Sequence, residues 1–157
     1  MRIAYFDCFA GISGDMVLGA LVDAGLSFTS LQEELEKLAL PGLQIRSRNV
    51  KKHGISATKV DVIAPEGHAH RHLEDILDII ERSGISEKAK RQSEKIFRRL
   101  AEAEADVHGT PVDSVHFHEV GAIDAIVDVV GAVVGLDLLG VERVYASIPR
   151  FGRGATR

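Results

Sequence analysis

The sequence has no tryptophan, only 2 tyrosines and 1 cysteine, Cys8. A lone cysteine excludes an intrachain disulfide framework. Basic charge is not in excess: 19 Lys and Arg stand against 23 Asp and Glu, for a formal net charge of −4. That balance gives no global pull toward nucleic acid or an anionic membrane. The basic-then-apolar layout of a signal peptide is missing, since Asp7 and Asp15 interrupt the N-terminus early. No long hydrophobic run is present either. The longest apolar stretch, around Ala125 to Leu139, contains Asp128, Asp137 and several glycines, which suits a buried helix rather than a membrane span. These absences predict a soluble cytoplasmic protein. Internal repeats and domain linkers are also missing, so the 157 residues are expected to form one domain with a real core. Hydrophobic content of 45% and charged content of 27% are near globular averages and argue against disorder.

Histidine is what the chain has in plenty. It carries 7, of which His68, His70, His72, His116 and His118 fall in two short stretches. Short histidine-rich tracts are a metal-binding signature, because neutral imidazole is a common ligand for borderline metals such as nickel, zinc and copper. In Pro65-Glu66-Gly67-His68-Ala69-His70-Arg71-His72 an extended backbone would point all three imidazoles one way. The plainer reading is a polar loop leading into the helix that follows. The second stretch runs from Ser114 to Asp128. It places His116 and His118 on one face of an extended segment, Glu119 beside them, a break at Gly121, and Asp124 and Asp128 on one face of a helix. Imidazoles on one limb and carboxylates on the other suit a divalent metal or general acid/base work. A solvated edge with two cap-forming acids is the plainer alternative. The helix after Gly121 is apolar nearly all round, and an ionised aspartate on a buried helix is costly unless paired or metal-bound. A place in the first helical turn explains Asp124 alone.

At the N-terminus, Arg2 to Asp7 reads as a strand, Phe9 to Asp15 as a glycine-bearing loop, and Met16 to Ala24 as a helix. Such a layout can aim backbone N–H groups at a phosphate, which makes Gly11, Ser13, Gly14 and Asp15 candidate ligand-binding residues. The loop matches neither a Walker sequence nor G-x-G-x-x-G, and a simple N-cap at Ser13 or Asp15 is the alternative. Asp7 ends the first strand, where ligands gather in open α/β sheets. Further along, the pattern predicts a helix over 28–39, paired strands over 43–50 and 55–64, and helices over 73–82 and 85–107. The apolar helix after Gly121 and a last strand over 141–148 complete the order. Arg46, Arg48, Lys51 and Lys52 form the one concentrated basic patch, read as a solvated strand edge or an anion contact. The fold class is α/β or α+β: a small mixed β-sheet including a hairpin, packed against several helices, with a parallel pair near the early helices.

Three separated motifs carry a family resemblance. Tyr5-Phe6-Asp7-Cys8-Phe9-Ala10-Gly11-Ile12-Ser13-Gly14-Asp15-Met16, then His68-Ala69-His70-Arg71, then Val115-His116-Phe117-His118-Glu119-Val120-Gly121-Ala122-Ile123-Asp124 resemble, in that order, the LarC-type nickel insertion proteins. The resemblance covers essentially the whole chain. It implies nickel insertion into pyridinium-3,5-bisthiocarboxylic acid mononucleotide, giving the nickel-pincer cofactor of lactate racemase-type enzymes. The implied reaction is a cyclometallation, a lyase-class chelation that forms carbon–nickel and sulfur–nickel bonds with CTP hydrolysis and Mg²⁺ or Mn²⁺ assistance. It further implies an N-terminal domain of a longer family chain. The partners would be the mononucleotide and a C-terminal nucleotide-binding domain or separately encoded half; a homo-oligomer is left as an open option. On this resemblance His68, His70, His72, His116 and His118, with Asp7 and Asp128, would hold metal. Gly11, Ser13, Gly14 and Asp15 would meet the mononucleotide, and Glu119 or Asp124 would take the ring proton. A non-catalytic nickel-delivery module and a divalent-metal phosphohydrolase, with Asp7, Asp15 and the His/Asp cluster holding Mg²⁺, are the alternatives.

Overall fold

The computed structural model describes residues 1–9, 11–64, 71–117 and 121–149, with residue 116 described through its backbone. The elements follow as β1 (Ile3–Phe6), α1 (Gly14–Asp23), α2 (Phe28–Glu36), β2 (Gln44–Lys52), β3 (Ile55–Ile63), β4 (Arg71–His72), α3 (Leu73–Arg82) and α4 (Glu87–His108). A 3-10 turn (Val112–Ser114), β5 (His116–Phe117), α5 (Ile123–Leu138) and β6 (Arg143–Ala146) complete the chain. The mixed α/β class and the β2–β3 hairpin agree with the pattern read from the sequence, whereas the strands flanking the early helices, β1 and β2, do not pair with each other. The strands are distributed over three pairs: β1 with β6 in parallel, β2 with β3 and β4 with β5 antiparallel. The parallel pair joins the first and last strands. β5 lies in the segment before Gly121 that was expected to be extended, whereas β4 was not legible as a strand, because two residues are too few to display a period-two alternation.

Local chemistry sets most of the helix ends. Ser27 Oγ accepts from Ser30 N–H at 3.3 Å and Ser86 Oγ from Ala89 N–H at 3.1 Å, each capping one otherwise unpaired donor. Gly109 stops α4 in the left-handed region at φ 63°, which a residue with a Cβ adopts only with strain. His108, the last residue of α4, pairs with Glu104 at 3.4 Å and serves that helix end.

The organising element is α5. Its Ile126, Val127, Val130 and Val134 are buried, and α1, α2 and α4 pack around it. The α1–α5 approach is close because small residues lie in the seam: a Cβ on Gly131 would come 2.8 Å from Leu18 Cδ2, and one on Gly135 2.8 Å from Leu21 Cδ1. Gly14 meets Asp128, Leu18 meets Gly131 and Leu21 meets Gly135, so the contacts rise together along both helices. The two helices therefore run parallel and begin at the same end of the molecule. On the far side of α1 the hairpin is held by Thr58, whose N–H and Oγ1 donate to Asp23 at 2.9 and 2.6 Å.

Candidate functional site

Two helix N-termini meet at one corner, and three carboxylates gather there. Asp15 is in the first turn of α1, Asp124 in the first turn of α5, and Asp128 one turn further along α5. First-turn acids are stabilised by the unpaired N–H groups of a helix start. Asp15 Oδ1 accepts from Met16 N–H at 2.9 Å and from Ser13 Oγ at 2.5 Å, and Asp124 Oδ1 accepts from Ala125 N–H at 2.9 Å. Ser13 thus occupies the N-cap position but donates its hydroxyl to Asp15 and caps no helix N–H. Gly11 turns the loop at φ 92°, its N–H donating to Cys8 O at 3.2 Å. Asp7 is exposed one residue past β1.

Asp128 differs from its neighbours. Its Oδ1 is shielded from solvent and has no hydrogen-bond partner among the described residues. Gly14 lies so close that a Cβ there would overlap the Asp128 side chain. Burial first, and then the charges of Asp15 and Asp124, push the Asp128 carboxyl up to about 6. An ordinary aspartate titrates near 3.9, so this one exchanges its proton close to neutral pH. Sequence reasoning placed Asp128 among metal ligands; its environment suits a proton acceptor as well. The signal was the acid on an all-round apolar helix, which marked the residue without marking the role.

The two histidine stretches meet through backbone pairing. Arg71 is opposite Phe117 and His72 opposite His116 in the β4–β5 register. His72 also ends its strand and starts α3, its backbone N–H donating to Asp75 Oδ2 at 2.8 Å. Arg71 Nη1 donates to Gly121 O at 2.6 Å in a part-buried position. Gly121 is buried, and a Cβ on it would meet Phe117 O at 3.0 Å and Arg71 N at 3.1 Å. Arg71 therefore fastens β4 to the turn that launches α5, and with it the histidine strands to the carboxylate helix. No sequence signal gave Arg71 this role, since a single arginine among histidines has no spacing to read. His68, His70, His118 and Glu119 lie outside the described residues. Among the described residues no group of three or more His, Cys, Asp or Glu is arranged to hold a metal ion. No described helix is long and apolar enough to cross a membrane.

Comparison with known proteins identifies the family. The family model described as nickel insertion protein matches residues 4–157. The pyridinium-3,5-bisthiocarboxylic acid mononucleotide nickel insertion protein of Desulfitobacterium hafniense is 54% identical over 154 residues, covering 98% of this chain and 38% of that protein. A putative nickel insertion protein of Roseiflexus castenholzii is 54% identical over 156 residues, 99% of this chain and 40% of its own length. The nickel insertion protein of Geobacillus kaustophilus named for the same mononucleotide is 47% identical over 167 residues, 100% of this chain and 41% of its own. The chain thus spans about two fifths of the length of these relatives. No solved structure matches it.

Proposed function

The chain belongs to the nickel insertion protein family, and from that premise we propose that it supplies the metal-holding and proton-accepting part of nickel insertion into pyridinium-3,5-bisthiocarboxylic acid mononucleotide. The observation that carries this reading is the β4–β5 register, which sets His72 opposite His116 while Arg71 ties both to the head of α5. Nickel is the cargo here. It has to be held by ligands that let go, and imidazoles with an occasional carboxylate do so more readily than a thiolate cage. His68, His70, His72, His116 and His118 are the proposed imidazole donors, with Asp7 and Asp128 as oxygen donors. Cys8 is buried, which removes the one thiol from competition.

Forming the carbon–nickel bond replaces a ring C–H, so one proton leaves the ring and needs an acceptor. Glu119 and Asp124 are proposed for that step. Asp128, pushed up to about 6, is a third carboxylate suited to it. The negative charge of the corner suits the cationic pyridinium ring and Ni²⁺ better than it suits the phosphate. A phosphate at Gly11, Ser13, Gly14 and Asp15 is accordingly the weaker assignment, because Asp15 adds charge and already accepts from Met16 N–H. Among the described residues no three carboxylates form a cation site for Mg²⁺ or Mn²⁺. CTP use and its metal are proposed for the remaining length of the relatives.

Nickel titration by calorimetry tests the reading. Binding should be measurable at pH 7.5 and weaken at least tenfold by pH 5.5, as imidazoles protonate around 6.5. It should also fall in a His116→Ala/His118→Ala double variant; equal binding by variant and parent removes those residues from the site. A second reading, a nickel-delivery module without catalysis, is favoured by the two-fifths span of the relatives. It predicts that the chain alone binds nickel yet forms no cofactor from nickel and the mononucleotide. The phosphohydrolase alternative gains no observation in its favour.

A further inference from the structure

The β1–β6 ribbon is left uncovered on a molecule that is otherwise well packed around α5. Parallel strands are normally buried on both faces, and a two-stranded sheet is marginal by itself. Here the outward face carries Ile3 at 48% exposure, Tyr5 at 65% and Tyr145 at 48%, with Tyr5 and Tyr145 directly paired. The inward face is incomplete too. Val144 pairs with half-buried Ala4 and yet is 51% exposed. The reason is a groove of about 570 Å³ beneath β6, lined by Ile96 of α4 and Val133 and Leu136 of α5 and also by the charged Lys88, Asp137 and Glu142. A second groove of about 610 Å³ opens beneath β1, bounded by Leu21 of α1, Ala24 just after it, and Leu139. Among the described residues, β1 and β6 pair only with each other, so each presents a free edge.

We infer that this ribbon is the nucleus of a larger sheet, completed by the polypeptide that makes up the remaining three fifths of the longer family proteins, through strands added at both edges and apolar side chains seated in both grooves. Two observations select this occupant. The relatives carry that further length, the matched part being 38–41% of each. In addition, the two edges are different strands beside different grooves. A second copy of the chain related by a two-fold axis joins like to like, so it closes one edge and leaves the other open. A longer heterologous segment closes both. The inference rests on family membership and on the relatives' length, and is separate from the nickel assignment.

Hydrogen exchange compares the 157-residue chain with the full-length Desulfitobacterium hafniense protein. In the shorter chain the amides of Ile3–Phe6 and Arg143–Ala146 that face the free edges should exchange quickly. At the aligned positions of the longer protein they should slow at least tenfold, while the β2–β3 hairpin exchanges alike in both. Changes aligned with Tyr5→Lys and Val144→Lys in the longer protein should restore fast exchange at the ribbon and leave nickel affinity unchanged. Ribbon exchange that is equal in the two proteins overturns the inference. So does a dimer of the 157-residue chain, seen by light scattering and abolished by Val144→Lys, which would assign the ribbon to a second copy.

Discussion

At the carboxylate corner, position is set by packing between long elements. Asp128 is pinned by Gly14 across the α1–α5 seam, and the same seam continues through Leu18 with Gly131 and Leu21 with Gly135. At the histidine corner, position is set by two strands of two residues each, held by one register and one guanidinium bond to Gly121. The first region is rigid by construction: displacing Asp128 means separating two buried helices. The second can open by breaking a handful of hydrogen bonds. On the proposed function, the contrast would keep an acid/base group fixed while the proposed metal ligands release nickel.

That comparison breaks first at Gly14. Gly14→Ala places a methyl in the space of the Asp128 side chain and should destabilise the protein by about 3 kcal/mol, the upper range for overpacking. Chemical denaturation measures it; a loss below about 0.5 kcal/mol would mean that the seam is slack. Arg71→Met comes next. It removes the bond to Gly121 O and should cost about 2 kcal/mol, a usual value for a charged donor. Nickel affinity should drop along with it, whereas Gly14→Ala should leave the imidazole ligands in place. Nickel binding that is unchanged in Arg71→Met would show that the histidine corner does not depend on this tie.

The smallest effect sharpens the contrast through pH. Asp128 has a raised folded-state pKa, so the native protein holds a proton there that the unfolded chain has lost between about 4 and 6. The site favours folding below that window and opposes it as pH rises through about 6. In metal-free buffer Asp128→Asn should therefore raise stability at pH 8, by on the order of 1 kcal/mol once its partial exposure is allowed for, and not at pH 4. An equal gain at both pH values would mean that charge is not what burdens this residue.

What the sequence made legible follows the length over which a pattern repeats. The 16 residues of α5 and the paired nine-residue strands of the hairpin display their periods many times over, and both were readable. So was the burden on Asp128, as an acid in an apolar helix. The meeting of the histidine stretches was not, because it depends on two-residue strands and on Arg71, which reaches Gly121 across 50 positions. The Ser114–Asp128 stretch was expected to face the loop after the first strand, but the cause, two helices running parallel along the α1–α5 seam, shows only in the packing of Gly131 and Gly135. Glu119, His68, His70 and His118 lie outside the described residues, and their roles remain part of the proposal.

X-ray absorption at the nickel edge tests the central claim most directly, namely that both histidine stretches serve one metal. The nickel-loaded chain should show nitrogen and oxygen neighbours with imidazole scattering and no sulfur, since Cys8 is buried. His72→Ala/His116→Ala should remove part of the imidazole signal and leave the fold intact by circular dichroism. A spectrum unchanged in that variant, or one dominated by sulfur, would contradict the account.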